Sequence, residues 1–120
     1  HLAARACTYA SLNTDSLKNT VLDPLFTVLI YPAYLDKGEG NSLSPELYHD
    51  KTCPVFIFST NDDKYGHSGI TFAGSLWESA SNVEFHLYPE GGHGYGLRKG
   101  NKAGELWPEL LKDWLKRYFS

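Results

Sequence analysis

Two short stretches hold side chains able to do chemistry together. In "YPEGGHGYGL" (residues 88–97), His93 sits among glycines, directly after a run of strand-forming residues. Glycine on both sides of a residue carries an entropic cost, and it belongs where the backbone must take a path closed to other residues. In "STNDDKYG" (residues 59–66), Asp62 and Asp63 stand side by side after a second apolar run. An imidazole beside a carboxylate is the activating half of a Ser-His-Asp arrangement. The ring takes the nucleophile's proton, and the carboxylate fixes its tautomer and stabilises the imidazolium. Taken singly, each group also has a plain reading, as a surface-loop histidine and a solvated turn aspartate. Their joint meaning depends on the elements that carry them.

Along the chain, strands and helices alternate. Residues 1–12 place Leu2, Ala3, Ala6, Tyr9 and Ala10 at helical spacing, and the small side chains suit close packing on a sheet. The polar stretch "LNTDSLKNT" leads to the continuous apolar run Phe26–Tyr31, the pattern of a strand buried on both faces. Residues 36–50 are a polar connection with one short helix at Pro45–Tyr48, and "PVFIFST" supplies a second buried strand at 55–59. Residues 66–80 fit an amphipathic helix with Ile70, Ala73, Leu76, Trp77 and Ala80 as its apolar positions. In "VEFHLYP", Val83, Phe85 and Leu87 alternate with Glu84, His86 and Tyr88, the period of a strand near a sheet edge. Trp107, Leu110, Leu111, Trp114, Leu115 and Tyr118 mark a closing helix, with Pro108 in its first turn. This order predicts an α/β fold of three layers, α/β/α, around a parallel sheet joined by right-handed crossovers. Three strands are few for such a layer, so part of the sheet is expected to be missing. In open parallel sheets functional groups gather beyond the carboxyl ends of the strands. The aspartates and His93 fall at two such ends.

Composition narrows the classes. The chain has 120 residues, 42% hydrophobic and 21% charged, an ordinary globular balance for one domain. A net charge of −3 gives no basic footprint, so nucleic acid is not an expected partner. No apolar run approaches the roughly 18 residues of a membrane span, and no signal peptide is visible, so no membrane partner is expected and localisation stays open. Cys7 and Cys53, the two cysteines, lack C-x-x-C spacing and read as two buried thiols rather than a disulfide or zinc framework. His67 reads as a helix-start residue and His86 as a strand residue, while His1, His49 and Cys53 have no metal-ligand spacing. No metal or other cofactor is expected. Methionine is absent and the chain opens "HLAARACTYA", from which a piece of a longer protein is expected.

The blocks "HLAARACT", "FTVLIYPAYL", "PVFIFSTNDD", "VEFHLYPEGGHGYGL" and "WPELLKDWLK" together resemble the C-terminal half of an α/β-hydrolase. The nearest branch is that of esterases similar to dienelactone hydrolases and acetyl xylan esterases. The resemblance spans nearly the whole chain, residues 1–120, and the strand–GGHG block is its most specific part. It implies a serine hydrolase of acyl or acetyl esters, possible substrates including acetylated xylan-type polysaccharide. Residue by residue, it implies His93 as the catalytic histidine and Asp63 as the acid, with Asp62 the fallback. "HLAAR" follows the nucleophile elbow in that family, so the serine and half the oxyanion hole are expected about four residues before His1. No G-x-S-x-G occurs within the chain. The sequence departs from its relatives after Asp63, where "KYGHSG" replaces a proline-valine-proline run. Two other readings remain at this point, a non-catalytic hydrolase-derived module that binds a partner and a serine peptidase of the prolyl-oligopeptidase type. Self-association through the exposed strand near Phe26 to Tyr31 is also expected.

Overall fold

The computed structural model describes residues 1–12, 24–37 and 42–119. The polar stretch beyond Leu12 and part of the 36–50 connection lie outside the described residues. Helix α1 runs Leu2–Leu12, strand β1 Thr27–Ile30, a 3-10 turn Pro45–Leu47, strand β2 Val55–Thr60, helix α2 Gly66–Glu78, strand β3 Val83–Tyr88 and helix α3 Lys102–Phe119. The three strands pair in parallel in the order β1-β2-β3, with Thr27 opposite Val55 and Val55 opposite Val83.

β2 is the central strand, and every residue in it is buried. Its alternation sends Val55 and Ile57 to one face and Phe56 and Phe58 to the other, the period-two geometry of a pleated strand. The first face packs on α1 and α2 through Ala4, Cys7, Leu29, Phe72 and Leu76. The second packs on α3 through Tyr95, Ala103 and Trp114. The result is the three-layer arrangement that the alternating elements predict. β3 lies at one edge and is only partly buried. At the other edge β1 pairs with β2 alone among the described residues.

α3 faces the sheet through Trp107, Leu110, Leu111, Trp114 and Leu115 as its spacing predicts, whereas α1 and α2 depart in part from the sequence reading. α1 buries Ala4, Cys7 and Thr8, while Leu2 and Tyr9 are exposed. Alanines occupy both faces of this helix, so apolar spacing does not fix its orientation, and only the smallest side chains allow the close approach. α2 buries Gly69, Phe72, Ala73 and Leu76, whereas Ile70 and Trp77 face solvent and Ala80 lies past the helix end with a φ of 58°. Gly69 sets that facing, because a Cβ there would stand 2.3 Å from Ser59 Oγ on β2. α3 begins five residues before Trp107, so Pro108 lies inside it and not in its first turn. The earlier start comes from its cap. Asn101 Oδ1 accepts the Gly104 N–H at 2.9 Å, and Glu105 Oε1 reaches back to the Gly100 N–H at 2.7 Å. Pro108 then forfeits one internal hydrogen bond, and the broad apolar face on β2 offsets the loss. Among the described residues, no helix is long and apolar enough to cross a membrane.

Candidate active site

Asp63 is placed by the turn that closes β2. Asn61 N–H reaches Tyr88 O at 2.7 Å, which carries the sheet ladder to its last rung, and Asp63 N–H folds back to Thr60 O at 3.3 Å. Asp63 then stands just ahead of α2. Its Oδ1 accepts the Tyr65 N–H at 2.8 Å, a local turn typical of aspartate. Its side chain is 1% exposed, and Oδ2 lies 2.7 Å from His93 Nδ1. An ionised carboxylate can only accept, so the proton in this bond belongs to Nδ1. A neutral ring held this way carries its lone pair on Nε2. Nε2 has no hydrogen-bond partner among the described residues, and the His93 side chain is 35% exposed.

His93 is placed by the glycine loop. Gly92 and Gly94, on either side of His93, have φ of 74° and 73°, a left-handed conformation that side chains rarely adopt. Three side chains tether this loop. Thr60 Oγ1 donates to Gly92 O at 2.6 Å, Asn101 Nδ2 donates to Gly91 O at 3.0 Å, and Asp62 accepts the Gly92 and Gly91 N–H groups at 2.8 and 3.2 Å. The Gly92 N–H in particular holds the Asp62 carboxyl below its ordinary range. The adjacent aspartates therefore divide the work. Asp63 bonds the ring, and Asp62 bonds the backbone that carries it.

Two tyrosines complete the surroundings, and sequence reasoning missed both. The rings of Tyr31 and Tyr65 meet the His93 imidazole edge-on, with centroids 5.0 and 4.9 Å away. Tyr31 follows β1 directly and holds a φ of 41° without being glycine, strain of the kind that collects at functional sites. Their positions at the carboxyl ends of β1 and β2 were the available signal. Tyr95 lies beneath, packed against Tyr31 at 4.8 Å, and burial pushes its phenol above the usual range.

The remaining histidines lie elsewhere. His67 sits on the first turn of α2, and His86 Nε2 bonds Glu84 at 2.9 Å with its ring on Phe56. His1 bonds Glu46, and His49 Nε2 bonds Ser75 Oγ at 3.0 Å. Ser75 lies in the interior of α2 and its hydroxyl donates to Phe72 O at 2.7 Å, so its proton is committed to the helix backbone. Among the described residues, no three His, Cys, Asp or Glu side chains converge to hold a metal.

A three-layer fold with a parallel sheet, a carboxylate after one strand and an imidazole on a glycine loop after the next is the α/β-hydrolase fold, here in its C-terminal half. Solved structures of this fold align over nearly the whole chain. An acetyl ester-xyloside bifunctional hydrolase from Caldicellulosiruptor lactoaceticus superposes with a TM-score of 0.74 at 24% identity, over 98% of this chain and 52% of its own. MGS-M1, an α/β hydrolase enzyme from a Medee basin deep-sea metagenome library, gives 0.71 at 27% identity over 98% and 49%. The carboxylesterase Cest-2923 of Lactobacillus plantarum gives 0.67 at 17% identity over 96% and 55%. The chain thus spans about half the length of the structures it matches. No protein-family model and no curated protein matches it.

Proposed function

We propose that these 120 residues carry the acid and the base of a Ser-His-Asp carboxylic ester hydrolase whose serine lies in a segment preceding His1. The observation that carries this reading is the 2.7 Å contact between His93 Nδ1 and the buried Asp63 carboxylate, with Nε2 left unpartnered among the described residues. In the complete site, Nε2 takes the serine proton as Oγ attacks the ester carbonyl. Asp63 stabilises the imidazolium without itself taking the proton. The ring then gives that proton to the departing alcohol, and water repeats the sequence to release the acid. Tyr31 and Tyr65 restrict rotation of the ring, and the tethered loop fixes its height above the sheet. The oxyanion donors are expected from the residue after the serine and from an earlier loop. The substrate class is acyl or acetyl esters, with acetylated xylan-type saccharides as the finer candidate. The similarity to an acetyl ester-xyloside hydrolase and to a carboxylesterase supports that class.

Turnover of nitrophenyl acetate tests the proposal in two arms. The 120-residue chain should hydrolyse it no faster than buffer, because nucleophile and base act as a unit. The chain extended through its preceding segment should turn it over and lose most of that rate on His93→Ala. Turnover by the 120-residue chain that depends on His93, or His93-independent turnover by the extended chain, would contradict the reading.

A further inference from the structure

At the opposite end of the sheet, Cys7 and Cys53 bring their sulfurs to 3.6 Å although 45 residues separate them in sequence. Cys7 lies on the sheet-facing side of α1 and is 1% exposed. Cys53 stands two residues before β2 and is partly exposed. A cavity of about 220 Å³, lined by Ser11, Lys51, Thr52 and both cysteines, opens beside the pair. Both residues are reduced thiols. The sulfurs must approach by only about 1.5 Å to reach the ~2.05 Å of a disulfide, a distance that side-chain rotation can cover.

We propose that Cys7 and Cys53 form an oxidisable dithiol, which a small-molecule disulfide converts into a bond tying α1 to the start of β2. The two sulfurs have different parts. The Cys53 sulfur, and then burial, push the Cys7 thiol far above its usual range, which leaves the more accessible Cys53 as the attacking group. Cys53 thiolate attacks one sulfur of the reagent, forming a mixed disulfide and expelling one small thiol. Cys7 then gives up its proton and attacks Cys53 Sγ, expelling the second small thiol. The protein loses two electrons and two protons, and the reagent disulfide is reduced to two thiols. The cavity gives the reagent access.

The bond sits at the amino end of β2, whereas Asp63 and His93 sit beyond its carboxyl end. Six residues of strand, on the order of 20 Å, separate the two places. Oxidation therefore acts on stability and leaves the Asp63–His93 contact as it is. The bond closes a long loop in the unfolded chain, so the oxidised protein should melt on the order of 10 °C higher.

The test treats the reduced 120-residue chain with oxidised glutathione and follows intact mass, alkylation and melting temperature. The expected product has lost two hydrogen atoms, resists alkylation, melts higher and keeps its His93 Nδ1–H resonance. Cys7→Ser should stop at a stable glutathione adduct on Cys53, and Cys53→Ser should remain unmodified. A persistent adduct on the unaltered chain, an intermolecular disulfide or two thiols still open to alkylation would overturn the proposal. Preferential adduct formation at Cys7 in Cys53→Ser would overturn the assignment of roles.

Discussion

Replacing Thr60 by valine should loosen the His93 loop while leaving the shape of the core unchanged. Thr60 ends β2, is fully buried, and donates its hydroxyl to Gly92 O at 2.6 Å. Valine fills the same volume but sets a methyl against that carbonyl. The loss is that of a hydrogen bond whose acceptor is left unsatisfied, about 1–3 kcal/mol when buried. Gly92 is only half-buried, so water can reach its carbonyl and the lower part of that range applies, about 1.5 kcal/mol in total. In urea, where a small domain loses about 1–3 kcal/mol per molar denaturant, the midpoint should fall by about 0.5–1.5 M. The same variant should speed amide exchange at residues 91–94 and broaden the His93 Nδ1–H resonance. Thr60→Ser keeps the hydroxyl and loses a buried methyl, so its midpoint falls by a similar amount while the loop amides stay protected. A Thr60→Val protein with unaltered loop exchange would refute the claim that this hydroxyl anchors the loop.

Three further outcomes follow from the same contacts. Asp62 has a folded-state pKa below its unfolded value, so its hold on the loop is fully present above that unfolded value, about 4, and is lost as pH falls through the folded one. Gly92 amide exchange, referred to its intrinsic rate, should therefore accelerate below about pH 4 in the native chain and lose that pH step in Asp62→Asn. Trp114 is 1% exposed and packs on Phe26 and Phe56, so Trp114→Ala should cost about 3–5 kcal/mol in denaturant unfolding. Its Nε1 has no partner among the described residues, so Trp114→Phe, which removes that buried donor, should cost less than half as much. The outer edge of β1, beside exposed Leu25 and Phe26, should give concentration-dependent self-association in sedimentation, and Phe26→Lys should reduce it. A sedimentation coefficient independent of concentration would count against that expectation.

The sheet was legible because its central strand carries a strong signal. "VFIF" is apolar on both faces, bounded by Pro54 and a polar turn, and a strand covered by helices on both sides reads that way. His93 was legible because glycines on both sides of it have no local purpose unless the backbone turns left-handed there. The face of α3 was legible in its apolar repeat, but those of α1 and α2 were legible only in part. In α1 alanine is compatible with either side, and in α2 the decisive residue is Gly69, whose lack of a side chain is invisible to a hydrophobic pattern. The start of α3 was hidden because Lys102 and Glu105 carry no apolar signal, and the cap at Asn101 operates through hydrogen bonds. The division of labour between Asp62 and Asp63 is set by which way each carboxylate leaves a two-residue turn, and adjacent identical residues cannot encode that separately. Tyr31, Tyr65 and the Cys7–Cys53 contact depend on pairings between distant segments, which only the folded sheet brings together.

Covalent trapping by a fluorophosphonate, read by peptide mass spectrometry, addresses the proposed division of catalytic groups most directly. The extended chain should be labelled on one serine shortly before His1, His93→Ala should abolish the label, and the 120-residue chain should take none. A stoichiometric label on any serine within residues 1–120, Ser75 included, or labelling of the upstream serine at an unchanged rate in His93→Ala, would contradict that division.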